Sequence, residues 1–249
     1  MKGKMHQDLY RELFEVENSH WWHHHKRGVV HQMIRKFTRK GRVLDVGTGT
    51  GKILEELQRK GWEVTGVDGE KEAIIWCKKR GVIVKQADIN KEKLPFAAAK
   101  FDLVLMLDVL EHISDEQGII KEIKRALKPG GVLIVTVPAY QWLYSYWDKM
   151  MGHERRYSCG SLKKLMANNG FNILYLSYFS CLVLFPAILV RFFKSLFKVK
   201  EEPISDFQTL PLKLISEPIL RSYVFLEQIL LKFVKLPFGL SLILVARKL

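Results

Sequence analysis

The chain has 249 residues, 48% of them hydrophobic, enough for one well-buried core plus a sizeable insertion. Lys and Arg number 40 against 26 Asp and Glu, a net charge of +14, but no block of five or six like charges marks a nucleic-acid arm. Three scattered cysteines, Cys77, Cys159 and Cys181, form no CxxC pair and argue against a disulfide framework or a zinc site; no apolar leader follows Met1, so a cytoplasmic location is expected.

Residues 8–40 carry apolar positions at helical spacing and predict an N-terminal helical cap over 1–40. Within it stands His20-Trp21-Trp22-His23-His24-His25-Lys26-Arg27. Consecutive histidines cannot converge on one side of a helix and no carboxylate stands at ligand spacing, so no metal site is expected. Trp21 and Trp22 read either as a substrate-contacting wall, with Arg27 available for a carboxylate, or as plain packing. Val43 to Val46 reads as a buried strand that enters the glycine-dense turn Gly47-Thr48-Gly49-Thr50-Gly51 and then a helix. Such a turn brings main-chain N–H groups close to a ligand at the helix N-terminus. A second strand ends at Asp68, placed to accept hydrogen bonds from ribose hydroxyls.

Helix Glu70–Arg80, strand Val82–Val84, strand Phe101–Leu107, helix Asp115–Leu127 and strand Val132–Val137 follow, with Lys128-Pro129-Gly130-Gly131 as a helix stop. Strands alternating with helices over 42–138 predict a doubly wound α/β sheet with its ligand at the carboxyl ends of the strands.

In order, Val43-Leu44-Asp45-Val46-Gly47-Thr48-Gly49-Thr50-Gly51, Asp68, Ala87-Asp88-Ile89, Phe101-Asp102, Asp108-Val109-Leu110-Glu111-His112 and Leu127-Lys128-Pro129-Gly130-Gly131 resemble the motif series of class I S-adenosylmethionine-dependent methyltransferases. The resemblance spans roughly residues 40–140. It implies a seven-stranded Rossmann-like sheet with an antiparallel last strand, and S-adenosyl-L-methionine as cofactor. By the same resemblance Asp45, Gly47, Thr48, Gly49 and Gly51 would hold the methionine portion, with Arg27 for its carboxylate. Asp68 and Gly69 would serve the ribose, Asp88 and Ile89 the adenine, and Leu107, Asp108 and Val109 the other side. Asp45 reads alternatively as a turn cap, Asp88 as a helix cap, and Glu111-His112 as the opening of a helix.

After the fifth strand, Tyr140 and the run His153-Glu154-Arg155-Arg156-Tyr157 suit an anionic acceptor, with His153, Tyr157 or His112 taking a proton. An internal ion-pair cluster with Asp148 and Glu154 is the alternative. This run resembles a branch of the family found alongside lipid-linked glycan assembly. Residues 41–178 plus 239–249 would form the cofactor-binding domain. An apolar and basic helical insertion, 179–238, would separate strands six and seven. Its predicted helices, Leu182–Phe197, Leu212–Leu220 and Tyr223–Leu236, rimmed by Lys194, Lys198, Lys213, Lys232 and Lys235, suit an anionic membrane surface, a homodimer or lid face, or intramolecular packing. Glu201–Asp206 reads as a connector. The expected activity is methyl transfer to a small or lipid-linked acceptor. RNA methylation, with no RNA-binding module to support it, and a catalytically silent tether are the alternatives.

Overall fold

The structure, a computed structural model, describes residues 7–196 and 217–249. Strands β1 (Arg42–Val46), β2 (Glu63–Asp68), β3 (Val84–Gln86), β4 (Phe101–Leu107), β5 (Leu127–Pro138), β6 (Phe171–Phe179) and β7 (Ser241–Lys248) make one sheet in the order β3-β2-β1-β4-β5-β7-β6. The first five run parallel, and β7 lies antiparallel to both β5 and β6. Successive side chains point to opposite faces, and both faces are covered at the centre of the sheet, so β4 is almost wholly apolar while the edge strand β3 is not. Val104 and Met106 of β4 enter the core on one face, Leu103 and Leu105 the core on the other.

Helices α5 (Glu116–Ala126) and α7 (Cys159–Asn168) cover the first face. Helices α2 (Trp21–Phe37), α3 (Lys52–Arg59) and α4 (Lys71–Lys79) cover the second, with Leu231 of a late helix reaching the same core. Helix α1 (Gln7–Val16) lies beside α4, where Phe14 and Trp76 pack with ring centroids 4.5 Å apart. Since β2 and β4 flank β1 on opposite sides, the chain reverses direction across the sheet at β1/β4, which opens a crevice at their carboxyl ends.

Two boundaries depart from the sequence pattern. The third strand begins at Val84, not Val82, because β2 sets the register of this edge strand through Gly66↔Val84 and Asp68↔Gln86, while Val82 buries beneath α4. Pairing of β5 starts at Leu127 and carries Lys128–Gly131 across a register shift, so the helix-stop signal lies inside the strand.

The insertion supplies α8 (Cys181–Leu196) and α9 (Glu217–Phe233), with a short helix α6 (Tyr146–Met150) ahead of them in the chain. Helix α9 runs unbroken where two helices were expected on either side of Leu220–Tyr223. Lys198, Lys213 and the Glu201–Asp206 connector lie outside the described residues. Among the described residues no helix is long and apolar enough to cross a membrane.

One carboxylate pins the insertion. Glu227 of α9, buried, accepts hydrogen bonds from the backbone N–H groups of Ser180 and Cys181 at the start of α8 and lies 3.7 Å from His25 Nε2. Glu227→Ala leaves two buried donors unpaired and should cost about 2–3 kcal/mol, read as a lower urea midpoint with an unchanged slope.

Candidate active site

The glycine turn after β1 is built from left-handed backbone. Gly47, Gly49 and Gly51 have φ of 73°, 57° and 78°. A Cβ on Gly47 would strike the Val109 side chain, whereas a Cβ on Gly49 would meet nothing within 4 Å. Gly49 therefore borders open space, and its N–H donates to Asp68 Oδ2 at 2.9 Å. The second oxygen of Asp68 accepts from Glu70 N at 2.9 Å. The Thr48 hydroxyl turns inward, its proton shared between the Asp45 and Val67 carbonyls.

Asp45 is buried with one carboxylate oxygen unpartnered. Burial and the Asp68 charge push its carboxyl well above the usual range. Burial raises Asp68 too, against the backbone donors that oppose the shift. An unpartnered buried oxygen of Asp45 beside the Asp68 carboxylate suits a ligand that brings positive charge and hydroxyl donors. S-adenosylmethionine carries a sulfonium and an ammonium, so the orphaned Asp45 oxygen, the space over Gly49 and the Asp68 carboxylate fit it. Asp45 and the Gly47–Gly51 turn would hold its amino-acid end, and Asp68 its ribose.

The sequence reading missed how α1 closes this site. Tyr10 is buried, and its phenol is pushed up by burial and by the Asp68 charge. Glu17, just beyond α1, accepts from Thr50 Oγ1 at 2.7 Å and pairs with Arg80. Arg27 is tied to Glu56 Oε1 at 3.0 Å and to the Glu17 carbonyl at 2.7 Å, so the carboxylate expected of the cofactor would compete with protein partners. Asp88 accepts from Asn90 N and Lys91 Nζ in a turn rather than at a helix start, because no helix lies between β3 and β4. Gly69 lies against Asp88, with an added Cβ 3.6 Å from the Asp88 Cα, and Ile89 borders the core beneath.

On the far side of the crevice, Asp108 follows β4 with φ of 55°, a strained conformation for a residue with a Cβ. It accepts from Thr136 Oγ1 at 3.1 Å and pairs with Lys26 of α2, a residue sequence reasoning also passed over. Burial pushes the Lys26 ammonium down and the nearby Glu111 carboxyl up. Beside them the His112 and His153 rings meet edge-on with centroids 4.7 Å apart.

The remaining candidates separate. Tyr157 is buried, donating its hydroxyl to Glu116 and to the Leu110 carbonyl, and burial with Glu116 raises its pKa, an arrangement that disfavours a phenolate base. Arg155 is held by Glu116, Glu154 and the Ile113 carbonyl. Arg156 donates to Asp148 Oδ1 at 2.8 Å and to the Ala139 carbonyl. Both arginines therefore make the internal ion pairs given as the alternative, and an anionic acceptor would have to compete with those carboxylates. Trp21 and Trp22 pack at 5.7 Å, nearly perpendicular, in a cluster with Leu143, Val183, Leu184, Ala187, Leu220 and Val224; Tyr140 borders it and stacks on Tyr178 at 5.2 Å.

Asp148 is fully buried between His153 and Arg156, which hold its carboxyl far below the usual range. It also accepts from Ser145 N, closing the capping box of α6. Asp148→Ala strands a buried guanidinium and should cost about 3–5 kcal/mol. A melting temperature lower by on the order of 10 °C is expected, and calorimetry checks it.

Over residues 20–176 the sequence matches the family described as methyltransferase domain. The chain belongs to this family, and its sheet order, with the last strand antiparallel, is the Rossmann-like one that the resemblance implied. The ubiquinone biosynthesis O-methyltransferase of Cereibacter sphaeroides (strain ATCC 17029) is 30% identical over 147 residues, 49% of this chain and 60% of that protein. Its namesake from Coxiella burnetii (strain Dugway 5J108-111) is 39% identical over 105 residues, 40% of this chain and 44% of that protein. The chain thus spans at most about three fifths of the length of these relatives. The crystal structure of a SAM-dependent methyltransferase from Archaeoglobus fulgidus superposes with a TM-score of 0.60 at 19% identity, covering 96% of this chain and 100% of that one, a likeness of fold.

Proposed function

We propose that the chain methylates a hydroxyl oxygen of a small acceptor that bears an apolar tail, with α8 and α9 seating the tail. The observation that carries this reading is the single apolar cluster joining Trp21, Trp22 and Leu143 to both insertion helices, bordered by Tyr140. Next to Trp22 along α2, Lys26 reaches Asp108 at the crevice and also lies over the Trp22 ring, 5.8 Å from its centroid. The names of the Cereibacter and Coxiella relatives support an oxygen acceptor of quinone type.

The sulfonium of the cofactor supplies an activated methyl group, so the protein's tasks are alignment, water exclusion and proton removal. Asp45 and Asp68 fix the cation and the ribose. Tyr10 and the Glu17–Thr50 contact close the amino-terminal side. Lys26, Glu111, His112 and His153 are the polar groups gathered where the acceptor hydroxyl would enter. Outside the cluster, Phe185, Phe225 and Phe233 are exposed in a chain rich in Lys and Arg. That pattern supports lodging these helices in an anionic bilayer surface, from which a lipid-tailed acceptor is drawn.

The test incubates pure protein and S-adenosylmethionine with a prenylated catechol, the same catechol without its tail, and a polyprenyl-phosphate sugar. A methyl ether forming fastest on the prenylated catechol is expected. Tight cofactor binding with no oxygen methylation of any catechol would overturn the acceptor. Methylation of the sugar alone would move it to the glycan class.

A further inference from the structure

Glu111, His112 and His153 form the only group of three or more metal-capable side chains among the described residues, with one donor atom from each within 4.8 Å of the others. Two loops bring them together. Glu111 and His112 sit on the helical turn Leu110–His112 after β4, and His153 follows α6. The backbone stitches the loops, Glu154 N donating to the Glu111 carbonyl at 2.8 Å.

Each side chain is prepared as a ligand. Glu111 is 1% exposed, and one of its carboxylate oxygens has no partner. His112 Nδ1 lies 3.2 Å from the Gly152 carbonyl, which can only accept, so this nitrogen carries the proton and Nε2 keeps its lone pair. His153 Nδ1 lies 2.9 Å from Asp148 Oδ1, a buried carboxylate further anchored by Arg156 and Ser145. A carboxylate or carbonyl behind the imidazole, fixing its tautomer and orientation, is the outer-shell arrangement of metal-binding histidines. A helix-capping role would account for Asp148 but not for the convergence of both imidazoles on Glu111, whose second buried oxygen is unpartnered.

We propose that Glu111, His112 and His153 bind a divalent transition-metal ion through one carboxylate oxygen and two imidazole Nε2 atoms. Two nitrogens and one oxygen suit Zn2+ and its neighbours in the first row better than Mg2+, which prefers oxygen and retained water. Bound donors about 2.1 Å from a tetrahedral ion stand roughly 3.4 Å apart, which small side-chain rotations reach from here. Three protein ligands leave a position for an oxygen, and on the proposed function that oxygen is the acceptor hydroxyl. Lys26 and Arg156 are the neighbouring cations, and their pairing with Asp108 and Asp148 offsets part of their charge.

The experiment titrates chelator-stripped full-length protein with ZnCl2 by calorimetry, without acceptor, and records the visible spectrum after CoCl2. One ion per chain is expected, with the absorption of nitrogen- and oxygen-bound Co2+. Glu111→Gln, His112→Ala and His153→Ala should each weaken Zn2+ at least 10-fold and remove the Co2+ bands, with folding checked by circular dichroism. The double substitution His23→Ala, His24→Ala should leave both readouts unchanged. No stoichiometric Zn2+ binding, equal affinity in the folded His112 and His153 variants, loss through His23 and His24, or a response to Mg2+ alone would each overturn the site. Cation binding is read without acceptor or turnover, so its failure and failure of the methylation reading are separate results.

Discussion

Replacing Asp68 by Ala should weaken S-adenosylhomocysteine binding by at least roughly 100-fold, since hydrogen bonds to a charged group contribute about 1.5–3 kcal/mol each and a ribose offers two hydroxyls. The same carboxylate fastens the ligand-facing turn through Gly49 N and the next helix through Glu70 N. Loss of both anchors lets the turn relax and adds to the defect. Asp68→Asn keeps one acceptor oxygen and should fall between, near 10-fold. Removing the Asp68 charge also lowers the repulsion felt by Asp45, so the unliganded fold should survive the change. Calorimetry gives the affinities, and the melting temperature separates lost binding from lost folding. Unchanged affinity in a folded Asp68→Ala protein would remove the ribose assignment.

The second large effect contrasts two glycines two residues apart. Gly49→Ala places a methyl group in open space, so its folding cost should be the left-handed backbone strain alone, about 1–2 kcal/mol. That methyl stands where the cofactor must approach the main chain, and affinity should drop more than 10-fold at little loss of stability. Gly47→Ala carries the same strain and drives its Cβ into Val109, so its cost should reach about 3 kcal/mol or more in unliganded protein. Opposite rankings, with Gly49→Ala the worse folder or Gly47→Ala the only poor binder, would show that the open space over Gly49 is not the ligand cavity.

The sheet and the glycine turn that enters it were legible because each depends on local spacing. A buried strand, a left-handed turn and an acid at the next strand tip are short-range patterns, and their order fixes where the tips meet. The third strand was misplaced because an edge strand takes its register from a neighbour, here β2, rather than from its own apolar residues. The acceptor side was less legible for a related reason. Arg155 and Arg156 look like an anion site in sequence, and only the fold brings Glu116 to one and seats the other with His153 on Asp148.

Lys26 was hidden in a run of histidines and tryptophans, although its partner Asp108 had been singled out. The closure by α1 depends on Glu17 meeting Thr50 and Arg80, contacts between residues 33 and 63 positions apart. A lone glutamate after an amphipathic helix carries no such signal. His112 and His153, by contrast, were each visible as candidates, and what the sequence withheld was that they face one another.

A crystal structure with bound S-adenosylhomocysteine tests the central claim most directly. The account predicts ribose hydroxyls on Asp68, the amino group at Asp45 above Gly49, and the sulfur facing the ground between Asp108 and His153. Adenosine density away from Asp68, or a sulfur turned from that side toward α4, would contradict it.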